Sequence, residues 1–123
     1  MEKEKRVLII DDDTSIITEL ISLLQPEYRI LVAKDGMSGI NRAEKYQPDL
    51  ILLDFVMPDM NGFDVLSSLR KLDGVKNIPV IFMTGIRDSE KENEGKALGA
   101  VDYIRKPFDR ADVKLKIRKA ILK

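Results

Sequence analysis

The side chains best suited to chemistry in this chain stand where short apolar segments end. Asp11, Asp12 and Asp13 directly follow one such segment, and Asp54 directly follows another. Carboxylates that are crowded together raise one another's pKa unless a cation lies between them. This acidic group therefore predicts a site for a hard divalent ion, and Mg²⁺ or Mn²⁺ is favoured because oxygen ligands suit these ions.

A hydroxyl and an amine end two further apolar segments, at Thr84 and Lys106. With a carboxylate and a divalent ion, they are the groups that receive a phosphoryl group, because cations neutralise the charge on its oxygens and a hydroxyl donates to one of them. A carboxylate can be the nucleophile in such a transfer. Asp54 is the natural nucleophile because it stands alone on the predicted central strand, which leaves Asp11 and Asp12 to hold the metal.

Composition excludes several other chemistries. The 123 residues include no cysteine and no histidine, so disulfides, thiolate nucleophiles, imidazole metal ligands, Ser-His-Asp triads and phosphohistidine carriers are ruled out. No apolar run approaches the roughly 20 residues of a membrane span, and the opening "MEKEKR" leads into no signal-peptide cleavage pattern. We therefore expect a cytoplasmic protein with no membrane partner.

Five short apolar segments predict the strands that position these side chains. Three of them are nearly continuous in Val, Ile and Leu, as expected for parallel strands buried on both faces. The stretches between them have helical periodicity. Strands are predicted at residues 7–10, 29–33, 50–53, 80–83 and 101–104. The first helix is predicted to begin at Asp13 or Thr14 and to stop at Pro26, and the second to follow Gly36 and stop at Pro48. The third follows Asn61 and Gly62, the fourth covers residues 88–99, and the fifth runs from about Asp109 to the end.

Strict alternation of strand and helix predicts an α/β fold, in which helices pack on both faces of a doubly wound parallel sheet and the crossovers are right-handed. We expect one domain over residues 1–123. In such sheets ligands bind at the carboxyl ends of the strands, and the candidate residues all fall there.

The basic residues from 105 to 123 surround apolar ones at helical spacing, which indicates a solvated helix face and no direct binding of nucleic acid.

Four motifs in order resemble the receiver domains of response regulators in two-component systems. They are "VLIIDDD", "LILLDFVMPDMNGFDVL", "IPVIFMTG" and "GAVDYIRKPF". The resemblance covers nearly the whole chain, and Asp54, Thr84 and Lys106 are separated as in that family. It implies a flavodoxin-like domain with five strands in the order 2-1-3-4-5 and five helices.

The resemblance also implies roles for individual residues. Asp54 would be the phosphoacceptor, and Lys106 would pair with the phosphoryl group or, before transfer, with Asp54. Asp12 would bind Mg²⁺ directly and Asp11 through water, while Asp54 and the backbone carbonyl of Val56 would complete the ligands from the protein. The chain would then be a signalling domain that assists only its own phosphorylation and dephosphorylation, and not an enzyme.

Thr84 and Tyr103 resemble the switch pair of that family. The Thr84 hydroxyl would move to the phosphoryl group, and the space it leaves would let the Tyr103 ring rotate inward. Taken alone, Tyr103 is better described as a half-buried strand aromatic, and the other motifs favour the switch. The peptide bond before Pro107 is commonly cis in the family, and Gly85 should preserve access to Asp54. Apolar Val56 and Ile86 are expected beside the site, where they would position water poorly.

The expected partners are a sensor histidine kinase or a histidine phosphotransfer protein, and an output domain or target protein that reads the face formed by the fourth helix, fifth strand and fifth helix. A phosphorylation-dependent homodimer through this face stays open.

Two alternatives to this function remain. One is a receiver-like docking or dimerisation module without phosphorylation. The other is a haloacid-dehalogenase-type phosphatase with Asp11 as nucleophile, which would leave Asp54 and Lys106 unexplained.

Overall fold

The computed structural model describes residues 4–85 and 89–122, in which five parallel strands and five helices alternate. The strands pair in the order β2-β1-β3-β4-β5, so the predicted fold class and strand order are confirmed. The strands are β1 (Arg6–Ile10), β2 (Arg29–Ala33), β3 (Leu50–Asp54), β4 (Val80–Thr84) and β5 (Asp102–Arg105). The helices are α1 (Thr14–Leu24), α2 (Gly36–Tyr46), α3 (Gly62–Arg70), α4 (Ser89–Ala97) and α5 (Arg110–Ile121).

The central strands are apolar on both faces because helices cover both faces. Alternate residues of β1, such as Leu8 and Ile10, belong to a core cluster shared with α2 and α3. Their neighbours Val7 and Ile9 belong to a second cluster shared with α1 and α5. A strand that is buried on both faces needs no polar alternation, which explains the continuous Val, Ile and Leu runs in the sequence.

The strand ends differ slightly from the prediction, in a way that matters for the site. β3 and β4 each continue one residue further than expected, so Asp54 and Thr84 are the last residues of their strands. β5 begins at Asp102, where its pairing with Ile81 of β4 starts, and Val101 before it is 44% exposed. The register of the parallel ladder therefore holds the backbone of the candidate residues at one edge of the sheet.

Side-chain caps begin four of the helices. Asp13 accepts hydrogen bonds from the backbone N–H groups of Ser15 (2.8 Å) and Ile16 (3.4 Å) at the start of α1. Sequence reasoning left Asp13 and Thr14 as alternatives, and the structure selects Asp13. Asp35, Asn61 and Asp109 cap α2, α3 and α5 in the same manner.

The two outer strands of the sheet are β2 and β5. On β5, the Lys116 ammonium from α5 donates to the Tyr103 carbonyl at 2.6 Å and also pairs with Asp112 at 3.2 Å.

Within residues 4–85 and 89–122, no helix has the length and apolar character that crossing a bilayer would require.

Replacing Asp13 with alanine should lower the free energy of unfolding by about 1 kcal/mol, because two backbone N–H groups lose their acceptor. Asp13→Asn should retain most of the stability, since asparagine caps helices equally well. Urea unfolding followed by circular dichroism measures both variants. An asparagine variant as unstable as the alanine variant would show that the charge of Asp13 matters and that the cap does not.

Candidate functional site

Three carboxylates converge at the carboxyl edge of the sheet. Asp11, Asp12 and Asp54 each offer one oxygen, and these oxygens lie within 4.8 Å of one another. Asp11 is fully buried, Asp12 is exposed, and the Asp54 side chain is 14% exposed. The predicted metal-site carboxylates are therefore together, and Asp54 keeps an opening to solvent.

Asp11 is held by hydrogen bonds on both carboxylate oxygens. Its Oδ1 accepts from the backbone N–H of Asp13 at 2.9 Å, and its Oδ2 accepts from Lys106 Nζ at 3.2 Å. Its own backbone N–H donates to the Ala33 carbonyl at 3.0 Å, which ties the end of β1 to β2. Asp11 is therefore a fixed acceptor and has little freedom to approach a substrate.

One ammonium group serves two of the carboxylates. Lys106 Nζ lies 3.2 Å from Asp54 Oδ1 as well as 3.2 Å from Asp11 Oδ2. The Lys106 backbone N–H donates to the Thr84 carbonyl at 2.8 Å, and the Lys106–Pro107 peptide bond is cis, as the resemblance implied. Burial alone would lower the pKa of Lys106, but Asp54 and Asp11 together raise it, so the ammonium stays charged at neutral pH.

The cluster carries more negative than positive charge. The pKa of Asp54 is raised, first by burial and then by the nearby Asp11 carboxylate, although Lys106 opposes both effects. The site thus favours an additional cation. Its oxygen-only donors fit a hard ion such as Mg²⁺, and the absence of histidine and cysteine from the chain removes the softer ligands.

The turn after β3 leaves room only for glycine at position 62. A Cβ on Gly62 would lie 2.6 Å from Phe82 Cε1 and 3.0 Å from the Asp54 carbonyl oxygen. The Gly62 N–H donates to the Phe55 carbonyl at 2.7 Å, and Val56 pairs with Asn61 in an antiparallel bridge. This tight turn fixes the backbone that follows Asp54, including Val56, whose carbonyl the resemblance assigned to the metal.

Asp59 anchors the same turn to α2, and sequence reasoning missed it. Its two carboxylate oxygens accept from the backbone N–H groups of Gly36 (2.8 Å) and Met37 (3.0 Å). These hydrogen bonds lower the pKa of Asp59. The only signal in the sequence was the single acidic residue of "MPDMNG", and its partners are more than 20 residues away along the chain.

Thr84 and Tyr103 occupy neighbouring strands. Thr84 ends β4 and is 8% exposed, whereas Tyr103 in β5 is 6% exposed and thus more buried than a half-buried strand aromatic. Among the described residues, no atom lies within 4 Å of a Cβ built on Gly85, so the space beside this residue is open. The Val56 side chain is 64% exposed, while the expectation for Ile86 falls outside the described residues.

Comparison with known proteins gives one family. Residues 7–118 match the family described as response regulator receiver domain. A probable cyclic di-GMP phosphodiesterase of Vibrio cholerae is 41% identical over 82% of this chain and 23% of its own length. The DNA-binding dual master transcriptional regulator RpaA of Synechocystis is 38% identical over 92% of this chain and 47% of its own. The chain therefore spans less than half of these relatives.

A solved structure has the same fold over nearly the entire chain. The Vibrio cholerae chemotaxis protein CheY4 superposes with a TM-score of 0.90 and 31% sequence identity, covering 96% of this chain and 99% of that one. The five-stranded sheet with five helices is thus also found in a relative of almost the same length.

Neutralising Asp54 should stabilise the protein when divalent ions are removed. Because the pKa of Asp54 is raised on folding, the folded protein holds the proton more tightly, and stability falls as pH rises through the carboxyl range. In EDTA at pH 7, Asp54→Asn should have the higher free energy of unfolding, and the difference should vanish below about pH 4. Urea unfolding at several pH values measures this.

Asp73→Asn is the matched control, because the Asp73 side chain is 98% exposed and its removal should change stability little. If Asp54→Asn were no more stable than the parent in EDTA at pH 7, the excess negative charge at this edge would be disproved.

Proposed function

Because the chain belongs to the response regulator receiver domains of two-component systems, we propose that it is a phosphorylation-controlled switch. Asp54 receives the phosphoryl group from a sensor histidine kinase or a histidine phosphotransfer protein. The observation that carries this proposal is the position of Asp54: it is partly open to solvent, lies 3.2 Å from the Lys106 ammonium, and stands beside two further carboxylates.

The transfer makes one bond and breaks one. An oxygen of the Asp54 carboxylate attacks phosphorus, and the phosphorus–nitrogen bond of the donor phosphohistidine breaks, so the electron pair returns to the imidazole. Lys106 is already in contact with Asp54 and neutralises charge on the phosphoryl oxygens, while the Thr84 hydroxyl donates to one of them afterwards.

Receiver domains bind Mg²⁺ in an acidic pocket, and the donors here fit that ion. Asp11, Asp12, Asp54 and the Val56 carbonyl would hold it, with Asp11 acting through water because Lys106 and the Asp13 N–H occupy its oxygens. Bound Mg²⁺ supplies positive charge that compensates the crowded carboxylates and the incoming phosphoryl group.

The new charge then shifts an equilibrium between two conformations, which an output domain or target protein reads on the α4–β5–α5 face. Lys106 contacts Asp54, and in the switch-pair hypothesis Thr84 and Tyr103 would carry the change from Asp54 to this face. We place the protein in the cytoplasm, where the kinase domains of two-component systems act. The phosphodiesterase and RpaA continue beyond the segment that matches this chain. We therefore propose that the output belongs either to a partner protein or to an attached domain.

The two alternatives receive less support. A phosphatase of the haloacid dehalogenase type needs Asp11 as nucleophile, but Asp11 is fully buried and both of its oxygens accept hydrogen bonds. A docking module has no need for the charge excess at Asp54, or for Lys106 between two carboxylates. Phosphorylation at Asp54 accounts for both features.

Incubation with acetyl phosphate and Mg²⁺ should add one phosphoryl group to the parent protein, because Asp54 is accessible and flanked by cation-binding groups. Intact-protein mass spectrometry measures the addition. It should be absent in Asp54→Ala and without Mg²⁺. A folded parent protein that gains no phosphoryl group under any of these conditions would favour the docking module, and phosphate-ester turnover abolished only by Asp11→Asn would favour the phosphatase.

Asp12→Asn should weaken Mg²⁺ binding at least about tenfold, because it removes the negative charge of a carboxylate that would bind the ion directly. The matched control is Asp13→Asn, which removes the same charge one residue away and keeps the helix cap. NMR titration of backbone amides with Mg²⁺ gives both dissociation constants. Equal weakening in the two variants would mean that only the net charge of this segment matters.

A further inference from the structure

Helix α4 has no apolar stripe to hold it against the sheet. Its sequence, SEKENEGKA, is polar apart from Gly95 and Ala97, and Gly95 is its one buried residue. A surface helix normally packs through three or four apolar side chains per two turns. The attachment of α4 must therefore depend on something other than hydrophobic side chains.

The buried glycine lies directly over an aromatic ring. A Cβ on Gly95 would overlap the Tyr103 hydroxyl oxygen and would lie 3.0 Å from Tyr103 Cζ and 3.1 Å from Phe82 Cε2. Gly95 is helical and has no left-handed backbone conformation that would call for glycine. Glycine in a helix costs a factor of about two to five in the folding equilibrium relative to alanine, so the missing side chain has a steric cause.

Tyr103 connects α4 to the phosphoacceptor strand. Its hydroxyl donates to the Lys91 carbonyl of α4 at 3.0 Å, and its ring stacks on Phe82 with centroids 5.6 Å apart. Phe82 lies 6.1 Å from the ring of Phe55, the residue after Asp54. The Lys91 ammonium stands 4.7 Å from the same Phe55 ring. Lys91 of α4 thus contacts Tyr103 and the neighbour of Asp54 at once.

We propose that Gly95 is the positioning residue that admits the Tyr103 ring beneath α4, and that it thereby sets the coupling between α4 and Asp54. The placement of the ring stands on the geometry alone. The coupling rests on the proposed function, because it requires Asp54 to be phosphorylated. With a side chain at position 95, the ring must turn outward, lose its hydrogen bond to Lys91 and leave Phe82.

The electrostatic surroundings of Tyr103 make this movement measurable. Burial, followed by Glu92 and Glu94 of α4, raises the pKa of the Tyr103 phenol to about 12. Glu92 is paired with Arg105 at 2.7 Å, and Lys116 of α5 donates to the Tyr103 carbonyl. An outward ring would be solvated and should titrate near the ordinary value of about 10.

The first experiment places alanine at position 95. In NMR spectra of protein with ¹³Cζ-labelled tyrosine, titrated from pH 7 to 11, the parent Tyr103 signal should not titrate, whereas in Gly95→Ala it should titrate near pH 10. Tyr103→Phe assigns the signal, and backbone spectra verify that each variant stays folded. A Tyr103 signal that remains untitrated in Gly95→Ala would overturn the proposal.

Stability supplies the second readout. An alanine at an open helix position should lower the unfolding equilibrium constant, as measured with the exposed neighbour in Asn93→Ala. Gly95→Ala should instead raise this constant, and the increase should largely disappear in a Tyr103→Phe background, which lacks the overlapping oxygen. If Gly95→Ala folds only in the Tyr103→Phe background, the proposal is supported. If Gly95→Ala has equal effects in the parent and Tyr103→Phe backgrounds, including failure to fold in both, the proposal is overturned.

The coupling is tested with acetyl phosphate and Mg²⁺. If the space left by Thr84 must be filled by the Tyr103 ring, a ring kept outside disfavours the phosphorylated state. Because the conformation that accepts the phosphoryl group is then less populated, the ratio of phosphorylated to free protein at steady state should fall about fivefold or more in Gly95→Ala but not in Asn93→Ala. If Gly95→Ala has the same ratio of phosphorylated to free protein as the parent, the coupling is overturned. If the parent itself is not phosphorylated, the proposed function fails, but the NMR result on the position of the ring still stands.

Discussion

The interaction on which the site depends is the sharing of one ammonium between two carboxylates. Lys106 lies 3.2 Å from both Asp11 and Asp54, and these contacts join the ends of β1, β3 and the segment after β5. Without a positive charge, two carboxylates at this depth would repel each other. With Asp12 beside this pair, the cluster keeps an excess of negative charge that Lys106 does not compensate, so the folded protein tolerates the acidic edge but remains receptive to further cations.

The rest of the fold can be understood as support for that edge. Apolar strands buried on both faces fix where Asp11, Asp54 and Thr84 emerge, since each strand ends as its polar residue is reached. The turn after β3 is closed by the Gly62 N–H and fastened to α2 by Asp59. Rigid elements place the reactive group, and short hydrogen bonds define the loop beside it.

Local sequence patterns were sufficient to predict the strands, the helices and the convergence of the site residues. The periodicity of apolar residues and the cap at Asp13 act within one element, so they can be recognised in the sequence. The roles of Asp59 and Gly95 could not be predicted, because each is defined by a contact distant in the chain: Asp59 with the first turn of α2, and Gly95 with the Tyr103 ring. A glycine in a helix and an acid in a loop look ordinary until their partners are placed.

Lys116 has a consequence for how other chains can associate with this one. The outer strand of a sheet usually presents free backbone carbonyls, which invite a foreign strand to pair with it. On β5, the outward Tyr103 carbonyl already accepts the Lys116 ammonium, and Asp112 holds that ammonium in place. A foreign strand that paired with β5 at this point would first have to displace the Lys116 ammonium, so this contact disfavours extension of the sheet.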